Sequence, residues 1–316
     1  MQLHPQVQAY FDRMTALLPA DGPPLAEVPP SELRGFTTLI VSVLTELGAV
    51  EEPVAAVDDR MVPGPLGPIP VRVYTPAGEA PFPCLVWFHG GGWVIGDLEF
   101  VDGACRELAN AAGAVVVSVD YRLAPEHPFP ASVDDCYAAT AHVAAAAASF
   151  GVDPARIAVG GDSAGGTLAA VVSRLARDRG GPALVYQVIA YPVAGPVGAT
   201  DSYRRFGEGH ILTTELMVWF VEHYLPRAED RDDPRALLCG SGDLAGLPPA
   251  FVVLADHDVL LDEGRELGER LRAAGVPTRI ETYPGVLHGF FTSSGAFDVG
   301  GQAVADVVGE LRRAFA

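Results

Sequence analysis

Six short and nearly continuous apolar runs constrain the fold of this chain more than any other feature: residues 84–88, 114–119, 157–159, 184–190, 251–255 and 278–283. Runs without polar alternation suit strands that are covered on both faces. Between them lie segments with helical character, 101–112, 132–148, 165–177, 263–274 and 302–315. Alternating strand and helix predicts an α/β fold with a mostly parallel central sheet and helices on both faces. Ahead of these runs, residues 55–62 and 70–74 flank a Pro-Gly-rich turn, which predicts an antiparallel hairpin at a sheet edge. With 49% hydrophobic residues in 316, the chain has ample material for a sizeable core.

Two stretches depart from that rhythm. Residues 1–50 read as two amphipathic helices, 6–18 and 31–47, separated by the breaker-rich segment 19–30, and form an appendage to the α/β part. Residues 192–248 carry a helical pattern around 214–224 and no core strand, so they read as an insertion into the α/β part. The expected division is therefore an N-terminal helical part at 1–50, a main α/β part made of 51–191 with 249–316, and an insertion at 192–248. The alanine run at 144–148 reads as ordinary helix.

The chain's 21 basic and 40 acidic residues give a formal charge of −19. A surface this acidic repels phosphate backbones and anionic lipid, so neither nucleic acid nor membrane is an expected partner. All the basic residues are Arg, which removes Ser-Lys and Schiff-base mechanisms from consideration. Cys84, Cys105, Cys136 and Cys239 form no CxxC pair and have no zinc-finger histidine spacing, so they are expected to be free thiols, with no metal. The first ten residues lack a basic start followed by an apolar run, and no stretch of about twenty apolar residues occurs, so a cytoplasmic location is the expectation.

The chemistry is most legible at residues 157–166, IAVGGDSAGG. They place G-x-S-x-G at Gly161 to Gly165, between an expected strand and an expected helix. A nucleophile elbow needs that context, because its serine sits in a strained turn whose neighbours must be tiny for strand and helix to approach. A phosphate loop is the competing reading of such a turn, but the lysine it requires is missing and no G-x-G-x-x-G opens the helix. Asp162 is read as bracing the turn. A second glycine-rich segment, His89-Gly90-Gly91-Gly92, follows the run 84–88. Its open backbone suits an oxyanion hole, with the N–H groups of Gly91 and Gly92 as two donors and that of Ala164 as a third. His89 is read as fixing the loop and not as a base.

Taken together, HGGGW at 89–93, YRLAPEHPFP at 121–130, GDSAGG at 161–166, DVLLDEG at 258–264 and HGF at 288–290 resemble, in order, the blocks of the bacterial hormone-sensitive lipase family of esterases, in the branch whose elbow reads GDSAGG. The resemblance covers residues 54–315 and implies an α/β-hydrolase fold, with 51–191 and 249–316 as the catalytic domain, 1–50 as the N-terminal helical part of a cap and 192–248 as the cap insertion over the active site. It implies a catalytic triad of Ser163, Asp258 and His288, hydrolysis of short-to-medium acyl esters, no cofactor, and the possibility of a homodimer. Both implied partners of Ser163 would stand at carboxyl ends of strands, Asp258 shortly after the run 251–255 and His288 after a loop at 284–287, where open α/β sheets keep their sites.

Asp256, Asp262 and Glu263 read as a strand-end group and helix N-terminal charges. Trp93, Phe206, Trp219, Phe290 and Phe291 are candidate pocket residues. Two rival functions share the scaffold. One is a receptor-like binding protein that has lost the catalytic histidine, against which His288 speaks. The other is an amidase or lactonase using the same groups.

Overall fold

The structure, a computed structural model, describes residues 2–18, 22–238, 242–293 and 295–316; Cys239 lies outside them. Its centre is one eight-stranded sheet in the order β1-β2-β4-β3-β5-β6-β7-β8. The strands are β1 (Ala56–Gly64), β2 (Gly67–Thr75), β3 (Phe82–Phe88), β4 (Val115–Val119), β5 (Val152–Asp162), β6 (Tyr186–Ala190), β7 (Ala250–His257) and β8 (Thr278–Leu287). The expected hairpin is the antiparallel pair β1–β2 at one edge, joined antiparallel to β4, and all remaining neighbours run parallel.

Successive side chains of a strand point to opposite faces, and that alternation divides the core into two packed layers. Val86 and Phe88 of β3 belong to one cluster, whereas Leu85 and Trp87 belong to the other. The first face carries α5 (Ala131–Ala145), α7 (Ala164–Arg179) and α10 (Leu261–Ala273). The second carries α4 (Asp102–Ala112), α11 (Asp298–Phe315) and the N-terminal α1 (Pro5–Leu17).

The helix expected over 31–47 is two helices, α2 (Pro30–Leu33) and α3 (Gly35–Glu46). They meet at Arg34, whose guanidinium donates to the carbonyls of Val94 and Ala124 at 3.0 and 3.1 Å and ties the junction to the loops after β3 and β4. The alanine-rich helix likewise ends early, at Ala145, and a short α6 (Ala147–Phe150) follows, since alanine favours helix without fixing where one stops. Between β6 and β7, the described residues of 192–248 hold α8 (Asp201–Phe206) and α9 (Thr214–Tyr224) and no strand. Thr213 caps α9 by accepting the Leu216 N–H at 3.1 Å. Among the described residues no helix is long and apolar enough to cross a membrane. Cys84, Cys105 and Cys136 are buried free thiols.

Candidate active site

β5 ends at Asp162 and α7 begins at Ala164, so Ser163 alone makes the turn between them. It does so at φ 56°, ψ −123°, a conformation that a residue with a side chain adopts only when its surroundings impose it. The Ser163 N–H donates to Ala190 O at 2.9 Å, which fastens the turn to β6. The glycines on either side are steric requirements: a Cβ on Gly165 would collide with the backbone of Phe88, and one on Gly161 with the backbone of Gly165 and Phe88.

The residues that the sequence places 95 and 125 positions beyond Ser163 converge on it. His288 Nε2 lies 2.9 Å from Ser163 Oγ, and His288 Nδ1 lies 2.7 Å from Asp258 Oδ2. With a carboxylate as its partner Nδ1 donates, which leaves Nε2 to accept the serine proton. Asp258 is buried, and its other oxygen accepts the Leu260 N–H at 3.0 Å. Asp258 directly follows β7 and His288 directly follows β8. The loop expected at 284–287 is instead a bulged continuation of β8, because the pairing shifts between Ala255↔Tyr283 and His257↔Leu287.

The glycine loop stands across the turn. His89 is fully buried, its ring stacked on Tyr121 at 4.2 Å, and its Nδ1 donates to Gly90 O at 2.7 Å. Burial pushes its pKa down to about 4, against the pull of the Gly90 carbonyl, so the ring holds the loop as a neutral imidazole. Gly90 N–H donates to Asp162 Oδ1 at 3.1 Å, joining the loop to the elbow. Burial, opposed by His288 and by that N–H, pushes the Asp162 carboxyl up to about 7. Gly91 (φ 107°) and Gly92 (φ 59°) line one cavity together with Ser163 and His288. Ala164 is the first residue of α7, so a helix N-terminal N–H sits directly after the serine.

That cavity is otherwise mostly apolar. α1 contributes Val7 and Tyr10, α3 contributes Phe36, Ile40 and Leu44, and α9 contributes Leu216, Met217 and Phe220. Of the aromatic residues expected to line it, only Phe290 does. Trp93 is buried in a stack on Tyr224 at 4.1 Å. Phe206 packs against His257 at 5.4 Å, Trp219 against Phe220 and His223, and Phe291 against Trp87. These four fill the protein interior because a helix or strand buries aromatic rings wherever its inner face points, and composition does not say which inner face borders a hollow. A second hollow lies beyond Leu25, Phe36, Ile211 and Leu216, which line both.

Glu263 also departs from its expected role as a solvated helix charge. It is buried and its Oε1 accepts the N–H groups of Ala194 and Gly195 at 2.8 and 3.3 Å. Burial pushes its pKa up to about 8. It anchors the start of the 192–248 segment to α10.

Residues 85–292 match the family model described as the alpha/beta hydrolase fold. The chain is 42% identical over 255 residues to Esterase LipI of Mycobacterium tuberculosis, spanning 79% of this chain and 80% of that protein. It is 43% identical over 250 residues to Carboxylesterase NlhH of the same organism, spanning 78% of each. Among solved structures, a hyperthermophilic esterase from Pyrobaculum calidifontis superimposes with a TM-score of 0.92 at 39% identity, covering 99% of both chains.

Proposed function

The chain belongs to the alpha/beta hydrolase fold family, in its hormone-sensitive lipase group, and is a carboxylic ester hydrolase; we propose that it works by passing the acyl group through Ser163. The observation that carries this reading is the pair of contacts at His288, 2.9 Å to Ser163 Oγ and 2.7 Å to Asp258 Oδ2. His288 Nε2 takes the Ser163 proton as Oγ attacks the ester carbonyl. The carbonyl π bond opens to an oxyanion, which the N–H groups of Gly91, Gly92 and Ala164 stabilise. Each such donor is worth about 3 to 4 kcal/mol of barrier. Collapse of the intermediate breaks the bond to the alkoxy oxygen, and that oxygen leaves with the proton from His288. Water, deprotonated by the same imidazole, then attacks the acyl-serine and releases the acid. Asp258 orients the ring and stabilises its protonated form.

Residues 1–50 and 192–248 act as the cap, since α1, α3 and α9 supply the apolar side of the cavity. The Leu25, Phe36, Ile211 and Leu216 wall limits the hydrocarbon that fits, which supports short-to-medium acyl esters as substrates. The GDSAGG elbow supports placing the chain in the branch of that name. A binding protein would gain nothing from an imidazole bridging a strained serine and a buried carboxylate.

The test is hydrolysis of p-nitrophenyl acylates by wild type, Ser163→Ala and His288→Ala. Wild-type turnover with a loss of about 10⁴-fold or more in either variant, at unchanged circular dichroism, is the expected result. Ester cleavage that persists in Ser163→Ala contradicts the mechanism.

A further inference from the structure

We propose that Asp256 is a positioning residue for the reaction: its carboxyl group fastens the bulged end of β8 to β7 and so sets where His288 stands relative to Asp258. The inference rests on the triad reading above.

Ala255 pairs with Tyr283 in the parallel ladder, and continuing that ladder without a break would bring Val286 opposite Asp258. The next pair is instead His257↔Leu287, so the bulge takes up two residues and His288 arrives beside Asp258. The catalytic contact therefore depends on a stretch where the two strands are not held by regular pairing.

The bulge runs into the buried residues 285–287, whose main-chain groups need other partners. Pro284 has no N–H to place. Gly285 O accepts the His4 N–H at 2.8 Å, from the segment just before α1. Val286 is fully buried, and its N–H donates to Asp256 Oδ1 at 3.1 Å. That bond spans from two residues before the triad acid to two residues before the triad base. It is thus a side-chain replacement for a ladder bond at the place where the ladder fails.

Asp256 is itself held in place. His257 Nδ1 lies 2.7 Å from the same oxygen and donates to it, and the His257 ring packs on Phe206 of α8 at 5.4 Å. Asp256 is buried, yet it lines no part of the substrate cavity. A buried carboxyl group is costly unless its oxygens receive donors; two donors converge on Oδ1, while Oδ2 has no hydrogen-bond partner among the described residues. Its placement is explained by holding β8 and not by contact with an ester.

Two substitutions separate the bond from the charge. Asp256→Asn and Asp256→Ala both remove the carboxylate, but only Asn keeps an oxygen for the Val286 N–H. With p-nitrophenyl butyrate, and active sites counted by phosphonate titration, Asp256→Ala is expected to lose about 10- to 100-fold in kcat per titrated serine, the scale of a small misplacement of reacting groups. KM should stay near the wild-type value, and Asp256→Asn should recover most of the loss. Equal kcat in the two variants, a wild-type kcat in Asp256→Ala, or a loss confined to KM would overturn the proposal. Should Asp256→Ala fail to fold, Asp256→Ser supplies the same comparison, because its hydroxyl is one bond too short for Val286. Turnover retained in Ser163→Ala or His288→Ala would instead overturn the triad reading, whatever Asp256 does.

Discussion

The cavity that Ser163 and His288 line has two unlike sides. On the sheet side stand the elbow, the glycine loop and the ends of β7 and β8, and at Gly91, Gly161 and Gly165 an added Cβ would collide with neighbouring backbone. On the helical side stand Val7, Tyr10, Phe36, Ile40, Leu216 and Phe220, which present hydrocarbon and little else. The first side tolerates one residue type at many positions. The second asks only that apolar volume be supplied, and cores of that kind accept substitution as long as volume and patterning survive. The comparison teaches that this molecule keeps its chemistry and its selectivity in separate materials, one sterically exact and one compliant.

The largest expected effect tests the exact side. Gly165→Ala places a methyl group against the Phe88 backbone, which no side-chain motion relieves, so soluble folded protein and esterase activity should both be lost. A folded and active Gly165→Ala would break the contrast at its root. Smaller effects are expected across the cavity. Phe36→Ala opens the wall toward the second hollow and should shift the preferred p-nitrophenyl ester to longer chains while acetate hydrolysis stays close to wild type. Each added methylene that finds a buried place is worth about 0.8 kcal/mol, or about four-fold in kcat/KM. An unchanged chain-length profile would show that the helical side is less compliant than its composition suggests.

The smallest effect sharpens the boundary between the two sides, where Glu263 anchors the 192–248 segment. Its folded pKa, about 8, is raised above the ordinary carboxyl value by burial, so the folded state holds the proton more tightly than the unfolded state does. The stability this contributes is complete at low pH and is lost as pH rises from the ordinary carboxyl range through about 8. Glu263→Gln keeps an oxygen for Ala194 and Gly195 and cannot ionise. Its melting temperature relative to wild type should therefore rise between pH 5 and pH 8.5, as followed by thermal unfolding across that range. A difference independent of pH would mean that Glu263 is already charged in the fold.

This contrast also explains what was legible in the sequence. Ser163, Gly91 and Gly92 stand out because strained or crowded backbone restricts which residues can occupy it, and restriction leaves a motif. Six apolar runs and an edge hairpin were enough for the sheet, since burial on both faces or on one leaves different periodicities. Trp93, Phe206 and Trp219 were misplaced because a ring facing a hollow and a ring facing another ring obey the same pattern. Phe36, Leu216 and Phe220 were missed for the same reason. The bulge at Pro284 to Val286 was read as a loop, because proline and glycine announce an interruption without saying whether the strand resumes. Glu263 looked like a helix-end charge, since its burial is decided by the segment folded over it and not by its neighbours in sequence.

The backbone of Ser163 carries one more implication. A left-handed φ on a residue with a Cβ costs on the order of 1 to 3 kcal/mol, a sizeable share of what keeps a domain folded. Glycine at that position would relax the turn, melt at a higher temperature and hydrolyse nothing. If Ser163 is the nucleophile proposed above, durability and reactivity compete at a single torsion angle.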